Sequence, residues 1–398
     1  MPSGVFLAGC ERHPQALLYE LKYRRAVRPP PPEALRAYEQ EFLAPLAGLR
    51  AGGPRRGGPA WWWARDGAVR LVARSLARHR LCVLDGFLPE HEYAELSTAV
   101  RGLHRDGSLT PGTLYYQLGQ KRGGRGGPDL LSDQLRPRKW NMRTESLVYC
   151  GDDDPRAPAL SRLGAAADAL IASLGRGGPA GEPECVRRLS HTDFREPHLC
   201  ACYPGSFRGR HARHVDNDAE WLHRTITAIL YLNEDWSEEN GGEFRLFAEG
   251  HDSTDVAFDV LPTANRMVLF WASDDCPHEV LHCNRDRFAI SLIYVDGRES
   301  VHDAHGRARS RVLQELIPVI PMTRDEALRK SADSEEEAQM LIAEAHAICQ
   351  WTSPQVVQEH PQQCANCGAV SSEGALGGGC YSGWYCKGCW QLWHGQVR

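Results

Sequence analysis

The chain contains no run of 18 consecutive apolar residues, which excludes an ordinary membrane-spanning helix. Its start lacks the charged lead and long apolar stretch of a secretory signal; only Val5 to Gly9 is apolar there. A large excess of one charge is also missing. A net charge of −5 over 398 residues leaves no global footprint for nucleic acid or an acidic membrane surface. Basic residues gather only locally, at Arg55-Arg56 and in KRGGRGG at 121–127, and both stretches read as solvated surface. The expected location is the cytosol or nucleus, and the length suits two or three domains.

The informative stretch runs from Tyr203 to Asp296. His214-Val215-Asp216 is followed 62 residues after the Asp by His278, and nine residues later by Arg287. Two His and one carboxylate can occupy one face of an octahedral Fe(II), leaving positions for a bidentate keto acid and O₂. The surroundings read as strands: TITAILYLN at 225–233, GEFRLF at 242–247, RMVLFW at 266–271 and RFAISLIYVD at 287–296. They are rich in β-branched and aromatic residues and bounded by Gly, Pro, Asn or Asp. Among 17 His there are decoys, namely His191 with Asp193, and His302 with Asp303 and His305. His211 is a closer rival, but Pro204, Gly205 and Gly209 argue against a helix that would put it on one face with His214. Strand context favours His214, Asp216 and His278 as the ligands of an iron site on a β-barrel.

ACYPG at 201–205, RHVDN at 213–217, YLNEDW at 231–236, GGEFRLF at 241–247, PHEV at 277–280 and RFAISLIYVD at 287–296 together carry a resemblance. The sequence resembles the oxygen-sensing prolyl hydroxylases among the Fe(II)- and 2-oxoglutarate-dependent dioxygenases. LCVLDGFL at 81–88 and AELSTAVRGLHRDGSL at 94–109 resemble the start of the same domain, so the likeness covers about 220 residues. It implies a mainly β catalytic core, a double-stranded β-helix or jelly roll, with flanking helices. It implies iron on His214, Asp216 and His278, and the distal carboxylate of 2-oxoglutarate on Arg287, whose guanidinium fork suits that task. Tyr231 would bond the same carboxylate, Tyr203 would sit near its chelating end, and Ser291 would lie near the iron. The implied cosubstrates are 2-oxoglutarate and O₂, with ascorbate. The implied reaction hydroxylates C4 of a prolyl residue in a protein, giving succinate and CO₂.

Departures from the family pattern bear on the substrate. Relatives carry an acid in a loop over the site where this chain reads Arg136-Pro137-Arg138-Lys139-Trp140, so Arg224 is expected to lack its acidic partner. Ile293 stands where relatives have Trp, and Arg210 where many have Tyr. An oxygenase for another side chain or a small molecule stays open, as does a barrel serving only as an adaptor.

The rest divides by composition into an N-terminal helical extension (1–75), the dioxygenase domain (76–300), a helical linker (301–360) and a C-terminal module (361–398). Helices are expected at 14–26, 33–49 and within 306–350, and Trp61-Trp62-Trp63 is expected to pack on the barrel, with a partner-binding patch as the alternative. In the module, Cys364-x₂-Cys367 and Cys386-x₂-Cys389 are separated by 18 residues, with Cys380 and His394 nearby. Four thiolates at this spacing suit a tetrahedral structural Zn²⁺ that stabilises a segment too small for its own core. Such a module would also offer a surface to a partner protein. The other nine Cys, including Cys200, Cys202 and Cys276, read as buried core thiols first and redox-sensitive groups second.

Overall fold

A computed structural model describes residues 27–52, 61–111, 145–176, 182–216, 223–248, 253–297 apart from 274, 317–319, scattered positions between 326 and 343, and the segments 356–363, 370–377 and 383–386. The expected helix at 14–26, the 121–127 and 136–140 stretches, the His302 cluster and most of 306–350 lie outside them. So do Cys364, Cys367, Cys380, Cys389 and His394.

The described residues begin with two short helices, α1 (Pro32–Tyr38) and α2 (Ala44–Ala51), joined by a π-helical turn at Glu39–Leu43. Pro45 has no N–H to give the carbonyl four residues back, and the wider turn just before it absorbs that break. Tyr38, Phe42 and Leu46 recur every four residues and are buried in the main core. The tryptophan run packs as expected. Trp61 stacks on Trp63 and Trp63 on Phe87 at 5.2 and 5.0 Å, while the Trp62 and Trp63 indole N–H groups donate to the carbonyls of Gly86 and Phe87. Helix α3 (Asp66–His79) buries Ala68, Val69, Val72, Ala73 and Leu76 on one stripe and stops at Arg80, whose φ of 62° turns the chain into strand β1 (Leu81–Asp85). Helix α4 (Glu90–Arg105) follows Pro89.

The remaining elements up to the site are β2 (Thr110–Pro111), β3 (Ser146–Cys150), α5 (Ala159–Gly175), α6 (Pro183–Leu189), β4 (Phe194–Arg195), β5 (His198–Tyr203) and β6 (His211–His214). After these come β7 (Arg224–Tyr231), β8 (Phe244–Phe247), β9 (Val256–Val260), β10 (Arg266–Trp271), β11 (His278–Val280), β12 (Arg287–Val295) and β13 (Ile317–Pro318). Two antiparallel sheets result, one of order β1-β10-β7-β12-β5-β3-β2 with β4 and β13 attached, the other β6-β11-β8-β9. This β-rich core with flanking helices is consistent with a jelly roll. Strand β12 shows why it is central: eight of its nine residues are buried, as a strand covered on both faces requires. β13 adds to the larger sheet through β4, so chain beyond residue 300 joins the same layer. Strands β14 (Val356–Gln363), β15 (Val370–Gly377) and β16 (Gly383–Cys386) form a third antiparallel sheet.

One side of the large sheet is fixed by a buried charge cluster. Arg195, fully buried, donates from Nε to Asp168 at 2.9 Å and from Nη2 to Asp152 at 2.6 Å, and Tyr294 Oη donates to Asp168 at 2.9 Å. The guanidinium fits because residue 164 is Gly: a Cβ there would lie 2.3 Å from Arg195 Nη2. A buried Arg is tolerable only when its charge is matched by carboxylates, and two are supplied.

Candidate active site

The smaller sheet sets two of the three expected iron ligands face to face. His214 ends β6 and His278 opens β11, and the two are register partners in adjacent antiparallel strands. Asp216 lies two residues beyond β6. The donor atoms of His214, Asp216 and His278 all lie within 4.8 Å of one another. Asp216 Oδ1 is 3.3 Å from His214 Nε2 and 3.5 Å from His278 Nε2. His278 Nδ1 is 2.9 Å from the Cys276 carbonyl, which fixes the proton on Nδ1 and leaves the Nε2 lone pair facing the cluster. Asp216 Oδ2 accepts from Thr227 Oγ1 at 2.6 Å, so one carboxylate oxygen is tied and the other is turned inward. Burial alone would raise the Asp216 carboxyl, but the imidazoles of His278 and His214 hold it well below the ordinary carboxylate range. Phe270 and Phe244, with ring centroids 4.6 and 5.2 Å from that of His278, give the cluster an apolar wall.

The two described decoys stand outside the cluster. His191 sits at the turn between α6 and β4, where its carbonyl accepts from the main-chain N–H groups of Asp193 and Gly297; it joins no three-ligand group among the described residues. His211 is on β6, a strand as the local Pro and Gly suggested, and its ring stacks on His214 at 3.8 Å without entering the ligand set.

The larger sheet supplies the second half of the site. Arg287 opens β12 opposite Tyr203 of β5, is 1% exposed, and lies 4.9 Å from the ring centroids of both Tyr203 and Tyr231. Its Nε donates to the Gly242 carbonyl at 2.7 Å. Gly242, at φ 72°, is required there because a Cβ would lie 2.9 Å from Arg287 Cδ. Arg287 Nη2 and Tyr231 Oη, both buried, meet no hydrogen-bond partner among the described residues. A buried guanidinium with an unanswered N–H beside an unanswered phenol suits one ligand above others, a carboxylate. Ser291 is two strand repeats along β12 from Arg287, half-buried on the same face. Ile293 continues that face opposite Thr227, and Arg210 Nη1 lies 3.4 Å from His282 Nε2. The donor set and the uncommitted groups thus fit an iron ion with a 2-oxo dicarboxylate.

One expectation is corrected. Arg224 does not lack an acid: Glu196, between β4 and β5, takes its Nε and Nη2 at 2.7 and 2.9 Å. The family pattern places that acid in the 136–140 loop, while here the segment between β4 and β5 supplies one. Thr227, Glu196 and Gly242 were all missed as site residues. Only Gly242 left a local signal, the Gly241-Gly242 pair before a strand. Cys202, Cys276 and Cys200 are buried core thiols. Burial pushes Cys202 up to about 12 and raises Cys276, and contact with the Cys150 thiol together with burial raises Cys200, so none is a poised thiolate.

Comparison with known proteins agrees with this chemistry. The family model described as 2OG-Fe(II) oxygenase superfamily matches residues 199–295. Egl nine homolog 1 of Rattus norvegicus is 30% identical over 275 residues, covering 68% of this chain and 68% of that one. Prolyl hydroxylase EGLN3 of Homo sapiens is 30% identical over 235 residues, covering 58% of this chain and 85% of that one. A solved prolyl hydroxylase from Trichoplax adhaerens, in complex with a hypoxia inducible factor oxygen degradation domain peptide fragment, matches with a TM-score of 0.46 and 25% identity over 59% of this chain and 92% of that one.

Proposed function

This chain belongs to the 2OG-Fe(II) oxygenase superfamily, and on that premise we propose that it hydroxylates C4 of a prolyl residue in a protein substrate, converting 2-oxoglutarate and O₂ to succinate and CO₂. It is a 2-oxoglutarate-dependent dioxygenase of the prolyl hydroxylase type. The observation that carries the reading is that β7 joins the two halves: Thr227 bonds Asp216 of the His214/Asp216/His278 cluster, and four residues along the same strand face Tyr231 lies beside Arg287, with Tyr231 Oη and Arg287 Nη2 buried and without a hydrogen-bond partner among the described residues.

Iron would be held by the Nε2 atoms of His214 and His278 and by an oxygen of Asp216. When bound, the metal supplies the O₂ activation that C–H hydroxylation needs. The chain's own residues do the rest. The Cys276 carbonyl fixes the His278 tautomer and Thr227 orients the Asp216 carboxylate. Arg287 and Tyr231 bind the distal carboxylate, Tyr203 and Ser291 flank the chelating end, and Phe244 and Phe270 keep water from one side of the cluster. Ascorbate serves as added reductant. Mass spectrometry of Pro-containing peptides incubated with the protein, Fe(II), 2-oxoglutarate and air tests the reading. A gain of about 16 Da on Pro, absent in His214→Ala, is expected; 2-oxoglutarate turnover with modification of other side chains only would redirect the assignment.

The oxygenase unit is proposed as residues 76–300 with β13 added to its sheet, the described part of the N-terminal extension (1–75) packed on it through Tyr38, Phe42, Leu46 and Trp63, and a linker leading to the module at 361–398. For the module we propose one structural Zn²⁺ on Cys364, Cys367, Cys386 and Cys389, with the module surface available to a protein partner. Support comes from chain direction. Cys364-x₂-Cys367 falls in the connection between β14 and β15, and β16 runs antiparallel to β15 from Gly377 toward Gly374, heading for the end of the sheet where that connection departs. Elemental analysis should find about one zinc per chain, lost on replacing Cys364 and Cys386 by Ser. The free, buried thiols of Cys82, Cys150, Cys185, Cys200, Cys202, Cys276 and Cys283 support a reducing location, cytosol or nucleus. No helix among the described residues is long and apolar enough to cross a membrane.

A further inference from the structure

The three expected metal ligands are not held alike. His214 and His278 are locked by strand pairing, and His278 also by its Nδ1 bond. Asp216 lies past the end of β6 and takes part in no strand ladder. Apart from the two imidazoles, the bonds that reach it among the described residues come from β7. Thr227 Oγ1 donates to its carboxylate, and Arg224 Nη1 donates to its main-chain carbonyl at 3.1 Å.

Arg224 is in turn held by Glu196. The contact is bidentate, and the two side chains are only 17% and 13% exposed. Glu196 has its own anchor, since its main-chain N–H donates to the Ile293 carbonyl at 2.8 Å on β12, the central strand. A continuous chain of bonds therefore runs from β12 through Glu196 and Arg224 to the backbone of Asp216. Without Glu196 the guanidinium would have no carboxylate partner in a nearly buried place. It would turn toward water or toward the Asp216 carboxylate itself, and either move shifts the ligand.

We infer that Glu196 is a positioning residue for the metal centre: through Arg224 it holds the main chain of Asp216 so that the carboxylate meets the metal in register with His214 and His278. This rests on Asp216 being an iron ligand. It adds a residue some 20 positions away in sequence that contacts neither metal nor cosubstrate. It also explains how Asp216 is set without an acid from the 136–140 loop.

The test is Mn(II) binding to the full-length protein, read by loss of the free-ion EPR signal. Mn(II) is chosen because it avoids thiolate sites. Glu196→Gln should weaken Mn(II) binding roughly 10-fold, and Glu196→Asp, which keeps the charge, should recover part of the loss. Arg224→Gln should weaken it at least as much, and the Glu196→Gln/Arg224→Gln double variant should match Arg224→Gln alone, because Glu196 acts through Arg224. Wild-type Mn(II) affinity in Glu196→Gln, or losses that multiply in the double variant, would overturn the inference. So would a loss of affinity that merely tracks a fall in the metal-free melting temperature across the variants. Asp216→Ala is the control for the underlying assignment. If it binds Mn(II) like wild type, the ligand reading itself fails; if it loses binding while Glu196→Gln does not, only the positioning role fails.

Discussion

The two sheets contribute to the site in opposite ways. The smaller sheet brings His214 and His278 together by strand register, and the metal end's internal bonds, from His278 Nδ1 to the Cys276 carbonyl and from Thr227 of β7 to the Asp216 carboxylate, are already made. The larger sheet sets Arg287 beside Tyr231, with donors left over among the described residues. The metal end is arranged by the protein for itself, while the cosubstrate end is arranged for a partner. Preorganised ligands keep a metal in one geometry, and a buried cation with an unanswered N–H selects an anion of fitting shape. The predictions below separate the two ends.

The largest effects belong to the metal end. His214→Ala, Asp216→Ala and His278→Ala should each lower 2-oxoglutarate turnover by about 10³-fold or more, a loss of several kcal/mol of metal-dependent stabilisation. His191→Ala should stay close to wild type in the same assay, because its ring belongs to a turn outside the site. Equal losses for His191 and His214 would erase the distinction between ligand and decoy.

Next comes the cosubstrate end. Arg287→Ala should weaken 2-oxoglutarate by on the order of 2–5 kcal/mol, roughly 30- to several-thousand-fold, with Mn(II) affinity unchanged. Arg287→Lys should recover only part, since an ammonium cannot reproduce the fork. If steady-state kinetics show Arg287→Ala with a wild-type KM for 2-oxoglutarate, the carboxylate sits elsewhere. Thr227→Val should do the converse at smaller scale, weakening Mn(II) by about 10-fold while leaving the KM for 2-oxoglutarate nearly unchanged at saturating metal. A shift confined to 2-oxoglutarate would mean that Thr227 serves the other end.

The contrast between the two ends also shows what the sequence disclosed. His214, Asp216, His278 and Arg287 were legible because each sits in a short motif with a strand signal, and those strands appear within about two residues of the expected bounds. Thr227 was passed over as one more β-branched residue in TITAILYLN. Glu196 was passed over because nothing local marks it; its meaning comes from Arg224, 28 positions on. Helix α5 went unread for a related reason. Gly164 and Asp168 look unfavourable inside a helix until Arg195 is placed against them from β4. Through-space partners are where a linear reading stops.

The smallest effect lies outside both ends and serves as their control. His198 is fully buried at the start of β5, with Nδ1 3.3 Å from the Cys150 carbonyl. Burial, with Arg195 nearby, pulls it down to about 4 from an ordinary 6.5. The unfolded chain therefore binds a proton that the folded chain refuses between those values. Stability attributable to this group is complete above about pH 6.5 and is lost as pH falls toward 4, by on the order of 1–3 kcal/mol. Denaturant unfolding from pH 7 to 4 should show a shallower acid slope in His198→Gln, with Mn(II) and 2-oxoglutarate affinities at neutral pH unmoved. An unchanged slope would mean the imidazole gains a proton without leaving its site.

The most direct test of the joint site is the visible charge-transfer absorption that a 2-oxo acid gives when it chelates Fe(II) through its keto and carboxylate oxygens, recorded without O₂ on the full-length protein. The wild type should develop the band on adding Fe(II) and 2-oxoglutarate. Asp216→Ala and His278→Ala should not, and Arg287→Lys should develop it only at higher 2-oxoglutarate. An undiminished band in both Asp216→Ala and His278→Ala would contradict the account.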